Sequence, residues 1–319
     1  MTTARMLRSD EPTARLPRPR YSYGALLATS QRVCWQLEDV IGGRSLDFTR
    51  PFMPESLART ADVEGLSADE RLALNQIRGH GYLCTFGIVE EFIVPFVLDH
   101  VRPRLGEGDE CVRALLQLAG EEAKHIHLFR IFADMFRAGF TTPCDVIGPA
   151  EEIGRAVLSH HPLSVALAIL QIEWMTQRHY VDAVHDDDGV DPLFRRLLKH
   201  HWLEEAQHAK LDTLMVEALA AACYDDERER ALDGYLDIGA FLDGGIAQQA
   251  EFDAVALERA IGRRLPDAQR KAMIDRQRQA MRWTYLGSGM THPEFLGTVE
   301  RCLGPAARAR LEAVAPMFS

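Results

Sequence analysis

An all-α fold is what this chain predicts: a four-helix bundle core with additional N- and C-terminal helices. Three observations predict it. Apolar residues recur at helical spacing through most of the 319 residues, with no long run alternating as a half-buried strand would. Two helical segments carry a Glu-x-x-His pair, Glu122 with His125 and Glu205 with His208, the second preceded by His201. Each pair also has an upstream glutamate on an apolar helix at the same distance, Glu90 lying 32 residues before Glu122 and Glu173 lying 32 before Glu205.

An α-helix turns about 100° per residue, so side chains three and four apart share a face. His201, Glu205 and His208 therefore point the same way, and so do Glu122 and His125. One Glu-x-x-His is ordinarily an exposed helix pair. Two, repeated with their upstream glutamates at an offset of 83 residues, form the ligand set of a ferritin-like di-metal carboxylate bundle. The candidate ligands are Glu90, Glu122, His125, Glu173, His201, Glu205 and His208. Carboxylate and imidazole donors suit iron, manganese or a mixed pair better than copper(I) or a thiolate zinc site. Buried glutamates without a cation would be strongly unfavourable. Phe86, Ile93, Phe129, Ile169 and Ile172 would keep water from the centre.

In chain order, residues 1–20 are rich in Arg and Pro and read as a flexible tail without a secretory apolar region. Residues 21–41 have helical spacing and stop at Gly42-Gly43. Residues 47–54, with Pro51 and Pro54, read as a surface loop. Ser67 and Glu70 form a capping box that opens a helix running towards Glu90, with Gly79 and Gly81 as candidate breaks and Pro95 as a kink. Glu90 falls on the face of Leu83, Phe86, Val94, Val97 and Val101, whereas Glu91 falls with exposed Arg102, so Glu90 is the inward residue. A turn at 102–109 leads to a helix over 110–137 that ends at Gly139, its inward stripe being Leu115, Leu118, Glu122, His125 and Phe129. Residues 141–152 read as a loop. The Glu173 helix spans 163–185, and Pro192 opens the Glu205 helix, which reaches about residue 223. Helical segments follow at 225–242, 250–263, 266–281, 293–303 and 306–314. The expected organisation is the tail and a single domain over 21–319, with the metal-binding core at 68–223 and a C-terminal helical layer at 225–319.

A formal net charge of −11 argues against nucleic-acid binding. No apolar run reaches the length of a membrane span. Six scattered cysteines, none in a Cys-x-x-Cys pair, read as reduced thiols of a cytoplasmic protein. Phosphate-cradling glycine motifs are absent. Among the remaining polar residues, His200 and Glu204 read as flanking, and His127, His179 and His185 as surface or supporting residues. His160-His161 read as a loop, and His292 as a helix start that could cap the site. The basic stretch 263–282 reads as a solvated face.

The ligand pattern resembles the p-aminobenzoate N-oxygenase family of non-haem di-iron oxygenases, in which an extra histidine, here His201, joins the last core helix. The resemblance covers about residues 80–215, and Glu121 stands where the family usually has Asp. It implies two iron ions, O2 as co-substrate, a peroxo di-iron species and N-oxygenation of a small-molecule aryl amine in a biosynthetic pathway. It also implies an external electron donor, a ferredoxin or reductase, since the chain contains no reductase module. A monomer or homodimer fits this reading, with no nucleic-acid or membrane partner. The alternatives are hydroxylation or oxidative cleavage of an aliphatic substrate, iron storage, and a structural role. No catalytic residue is named beyond the ligands.

Overall fold

The computed structural model describes residues 19–318, so most of the expected tail lies outside the described residues. In chain order the helices are α1 (Tyr23–Val33), α2 (Leu37–Val40), α3 (Glu55–Ala58), α4 (Ala68–Val101), α5 (Glu110–Gly139), α6 (Ala150–Leu158), α7 (Pro162–His179), α8 (Pro192–Ala221), α9 (Asp225–Ile261), α10 (Asp267–Arg282), α11 (Ser288–Met290), α12 (Pro293–Leu303) and α13 (Pro305–Val314). There is no strand among the described residues, and the fold is an all-α helical bundle with helices added at both ends of its core. In the core α4 packs along α5, α7 along α8, and α5 meets α8. α1 lies across α5 and α8, while α9 covers α4 and α7 and carries α10. One apolar core runs from Leu26 to Phe318, and a smaller one joins Leu74 and Ile77 to Ala254, Leu257 and Met273.

α4 starts at the expected capping box: Ser67 Oγ accepts from Glu70 N at 3.2 Å and Glu70 Oε2 accepts from Ser67 N at 2.9 Å. It does not break at Gly79 or Gly81 and runs on through Pro95. Gly79 instead permits a close approach, because a Cβ there would sit 2.7 Å from Phe52 Cβ. The segment 47–54 is a loop with Thr49 and Arg50 exposed, as expected, but its end, residues 52–54, is buried. Phe52 and Met53 are buried, and their backbone is satisfied by Asn75, whose Oδ1 accepts from Phe52 N (2.8 Å) and Met53 N (2.9 Å) and whose Nδ2 donates to Met53 O (2.8 Å). Asn75→Ala would leave these three backbone groups buried without partners. It is expected to lower the unfolding free energy by about 2–4 kcal/mol, read from urea denaturation.

Other boundaries differ from the sequence reading. The 21–41 segment is two helices, α1 and α2, with Trp35 between them. α6 begins inside the expected 141–152 loop, and α9 is continuous through Gly244-Gly245. α7 passes into a π turn over Tyr180–Val184, and α10 into another over Trp283–Gly287. Contrary to the hydropathy expectation, the span Ala68–Arg104 is long and apolar enough to cross a membrane by length and composition, but 56% of its most apolar window is buried inside the fold.

Candidate metal centre

All seven candidate ligands are buried, none more than 3% exposed. α4 supplies Glu90, α5 supplies Glu122 and His125, α7 supplies Glu173, and α8 supplies His201, Glu205 and His208. Two groups of four form around a shared pair: Glu90, His125, His201 and Glu205, and Glu122, His125, Glu205 and His208. In each group the ligand atoms lie within 4.8 Å of one another. Glu205 Oε1 is central, at 3.1 Å from His125 Nδ1, 3.3 Å from His201 Nε2 and 3.3 Å from His208 Nδ1. His201 Nε2 is 2.9 Å from Glu90 Oε1, and His208 Nδ1 is 3.0 Å from Glu122 Oε1. Glu173 belongs to neither group; its carboxyl hydrogen-bonds that of Glu205. Glu91 is exposed and pairs with Arg130 at 2.7 Å, so the helical-angle choice of Glu90 holds.

Glu204 is not a flanking residue. It is fully buried, its Oε2 lies 2.8 Å from His125 Nε2, and its Oε1 accepts from Lys124 Nζ at 2.5 Å. Glu121 does the same from the other helix: its Oε2 lies 2.9 Å from His208 Nε2, and its Oε1 accepts from Ser30 Oγ (2.5 Å) and Gln117 Nε2 (2.9 Å). The residue before each Glu-x-x-His glutamate thus holds the histidine of the opposite pair. This arrangement fixes both imidazoles with Nδ1 turned to the centre and raises their basicity as ligands. The signal was in the sequence as two Glu-Glu-x-x-His units, and a one-face reading of each helix discards it. Trp35 stacks on His125, with ring centroids 5.7 Å apart and planes at 13°. Lys124 Nζ lies 3.9 Å from the Trp35 ring centroid.

His200 is half-buried on the flank as expected, bonded to Arg196 O. His127 and His185 are exposed, His161 caps α7, and His292 caps α12 while stacking on Trp174. His179 is buried away from the centre between Tyr82 (3.0 Å) and Ser288 (2.9 Å). Four arginines of the basic stretch pair with acidic neighbours: Arg263 with Glu70, Arg270 with Glu251, and Arg278 and Arg282 with Asp243.

The donor set fits metal ions. Glu90 Oε2, both Glu122 oxygens, His125 Nδ1, Glu173 Oε2, Glu205 Oε1 and His208 Nδ1 are all buried without a hydrogen-bond partner. Such a concentration of unpaired polar atoms is costly unless a cation takes them. Protonation follows the same logic. Burial, then the charges of neighbouring glutamates, pushes Glu90 and Glu173 well above the usual carboxylate range. Burial opposes charge on His125 and His208, yet their glutamate partners hold both well above the usual imidazole range. Burial lowers His201 to about 4. Burial also works against charge on Glu122 and Glu205, which the surrounding histidines nevertheless keep low. One turn beyond His208, Asp212 is fully buried with both oxygens unpaired, and burial pushes it well up. The sequence reading did not single it out.

An apolar cavity lies on the other side of Phe86 and Val89 from the candidate ligands, none of which lines it. Its wall includes Phe86, whose ring is 5.4 Å from that of His201, together with Val89 and Ile172, the neighbours of Glu90 and Glu173.

Residues 43–286 match the family described as P-aminobenzoate N-oxygenase AurF. No curated protein matches the chain. Among solved structures, an R2-like ligand-binding oxidase with an aerobically reconstituted Mn/Fe cofactor is 13% identical, with 82% of this chain and 93% of that chain covered and a TM-score of 0.42. A variant of an R2-like ligand-binding oxidase with an Fe/Fe cofactor is 14% identical, with the same coverage and a TM-score of 0.43.

Proposed function

The chain belongs to the p-aminobenzoate N-oxygenase AurF family, and from that premise we propose that this di-metal oxygenase N-oxygenates a small aryl amine in a biosynthetic pathway. The observation that carries the reading is the convergence of unpaired carboxylate and imidazole atoms from α4, α5, α7 and α8 beside an apolar cavity. Glu90, Glu122, His125, Glu173, His201, Glu205 and His208 would hold two iron ions or an iron–manganese pair. When bound, the metal pair supplies the two-electron chemistry that O2 needs. For the first oxidation, R–NH2, O2, two electrons and two protons give R–NHOH and water. The electrons come from an external ferredoxin or reductase.

The chain's own residues supply the rest. Phe86, Val89 and Ile172 exclude water where the amine nitrogen approaches. Glu121 and Glu204 hold the tautomers of His208 and His125.

Protein expressed with iron is expected to contain two metal ions per chain. After reduction it should consume O2 in stopped-flow, and mass spectrometry of aryl amines should show +16 products that retain nitrogen-bound oxygen. Hydroxylation at carbon would shift the reading to a hydroxylase. Metal uptake without an O2 reaction, in a large multi-subunit shell, would shift it to iron storage.

A further inference from the structure

We propose that the apolar cavity behind Phe86 and Val89 is a dioxygen site, filled from the groove between α6 and α9 past the side chain of Ile147. The inference rests on O2 being the co-substrate and not on which amine is oxidised. Size limits the occupant first. The cavity holds about 50 Å³. A dry apolar cavity of about 150 Å³ takes one benzene ring, and a single water needs about 10–15 Å³. The space is therefore too small for a substituted ring and suits a small gas molecule.

The walls favour a molecule without polarity. They are almost wholly apolar, with Ile172, Met175, Ile246 and Met281 among them. The polar side chains that reach the cavity are engaged with protein. Gln249 Oε1 accepts from Ile147 N at 3.0 Å, and its Nε2 donates to Asp145 O (3.1 Å) and Asp253 Oδ1 (2.8 Å). The hydroxyls of Thr85 and Tyr285 bond each other. A buried water is held by about three hydrogen bonds to unsatisfied polar groups, and this wall does not supply them. A metal ion would find no carboxylate or imidazole in it. O2 is apolar, and its transfer from water to such a wall is favourable.

The cavity stands between solvent and the metal centre. On its inner side are Phe86, against His201, and Val89, next to Glu90. On its outer side Ile147 and Leu242 line both the cavity and a groove of about 470 Å³ between α6 and α9. Gln249 pins the backbone of Ile147, so the partition opens by rotation of side chains alone. Across from Ile147 the groove is lined by Gly244 and Gly245 of α9, and a Cβ at Gly245 would lie 3.3 Å from Ile147 Cδ1. Glycine is unfavourable inside a helix. Here it leaves Ile147 the room to turn aside.

Diffraction from crystals of the metal-loaded protein pressurised with xenon, an apolar probe atom, tests the site. Stopped-flow oxidation of the reduced protein over a series of O2 concentrations tests its use. Xenon is expected in the cavity, and the same xenon pressure should slow oxidation of the unmodified protein. An ordered water in the cavity, xenon only elsewhere, or an unchanged rate under xenon overturns the inference. Ile246→Phe fills the cavity from α9, which carries no candidate ligand. Gly245→Val sets a side chain against Ile147 while removing a glycine from a helix. With metal content unchanged, each should lower the second-order rate constant for O2 by about 10-fold. An unchanged rate in Ile246→Phe overturns the site, and an unchanged rate in Gly245→Val overturns entry past Ile147. Failure of the unmodified protein to react with O2 overturns the oxygenase reading and this inference with it. Oxidation of the amine at carbon, with xenon in the cavity and both variants slowed, overturns the N-oxygenation reading alone and upholds the dioxygen site.

Discussion

Glu205→Ala is expected to take the metal content from two ions per chain to one or none, and to lower O2-dependent turnover by about 100-fold or more. One oxygen of Glu205 lies within 3.3 Å of the inward nitrogens of three histidines, and the residue is shared by both four-residue groups. Removing it takes a donor from both at once. Glu204→Gln is the informative comparison. It removes the charge that holds His125 but no proposed ligand, so both ions should still bind, with affinity reduced about 10–100-fold. Glu91→Ala sets the baseline, because Glu91 is exposed and paired only at the surface with Arg130; metal content should be unchanged and stability altered by no more than about 0.5 kcal/mol. Metal analysis of the three variants gives the ranking. Two ions retained in Glu205→Ala would sink the assignment of that residue.

The positions of the candidate ligands were legible because their spacing, three and four along a helix and 32 between helices, is a geometric statement before any folding. The fold class followed from the same periodicity. The supporting carboxylates were not read, for a physical reason: α8 is buried on more than one side, between α1, α5 and α7. Glu204 is about 100° from Glu205 and still faces protein. A rule that gives each helix one inward face sends it to solvent. The burial of residues 52–54 was hidden similarly. The prolines of this segment suggest exposure, and only Asn75, more than 20 residues away, supplies the partners that let its backbone be buried. At Gly244-Gly245 the helical cost of glycine, about 1 kcal/mol each, is outweighed by the packing of α9 on α4, α7 and α10. Glu173 stands one step from the others. It was read only as lying on an apolar helix; it is buried there, and it reaches the centre through Glu205 rather than through a histidine.

Raising the pH should destabilise the metal-free protein and strengthen metal binding, because protons and metal ions neutralise the same buried charges. Without metal, Glu90, Glu173, His125 and His208 hold protons that they would not hold in water, while Glu122 and Glu205 stay ionised. That leaves two carboxylates against two imidazolium ions, with His201 neutral near pH 7 because its pKa is about 4. All four protonated groups have folded pKa values above their unfolded ones. The stability they contribute is present below the unfolded values, about 4.5 for Glu and 6.5 for His, and is lost as pH rises towards the folded values. Above pH 6.5 each such group costs about 1.4 kcal/mol per pH unit. Glu122 and Glu205 have the opposite sign, and their contribution is lost only as pH falls below the carboxylate range. The metal-free protein should therefore melt lower at pH 8 than at pH 6.5. Two divalent ions balance the four candidate-ligand carboxylates with every imidazole neutral, so loading should release close to four protons per chain. The loaded protein should then show little change in melting temperature over the same range. Calorimetric titration with metal in buffers of different ionisation enthalpy counts the protons directly. Release near zero, or a metal-free melting temperature that rises from pH 6.5 to 8, would mean that these side chains do not exchange protons for metal.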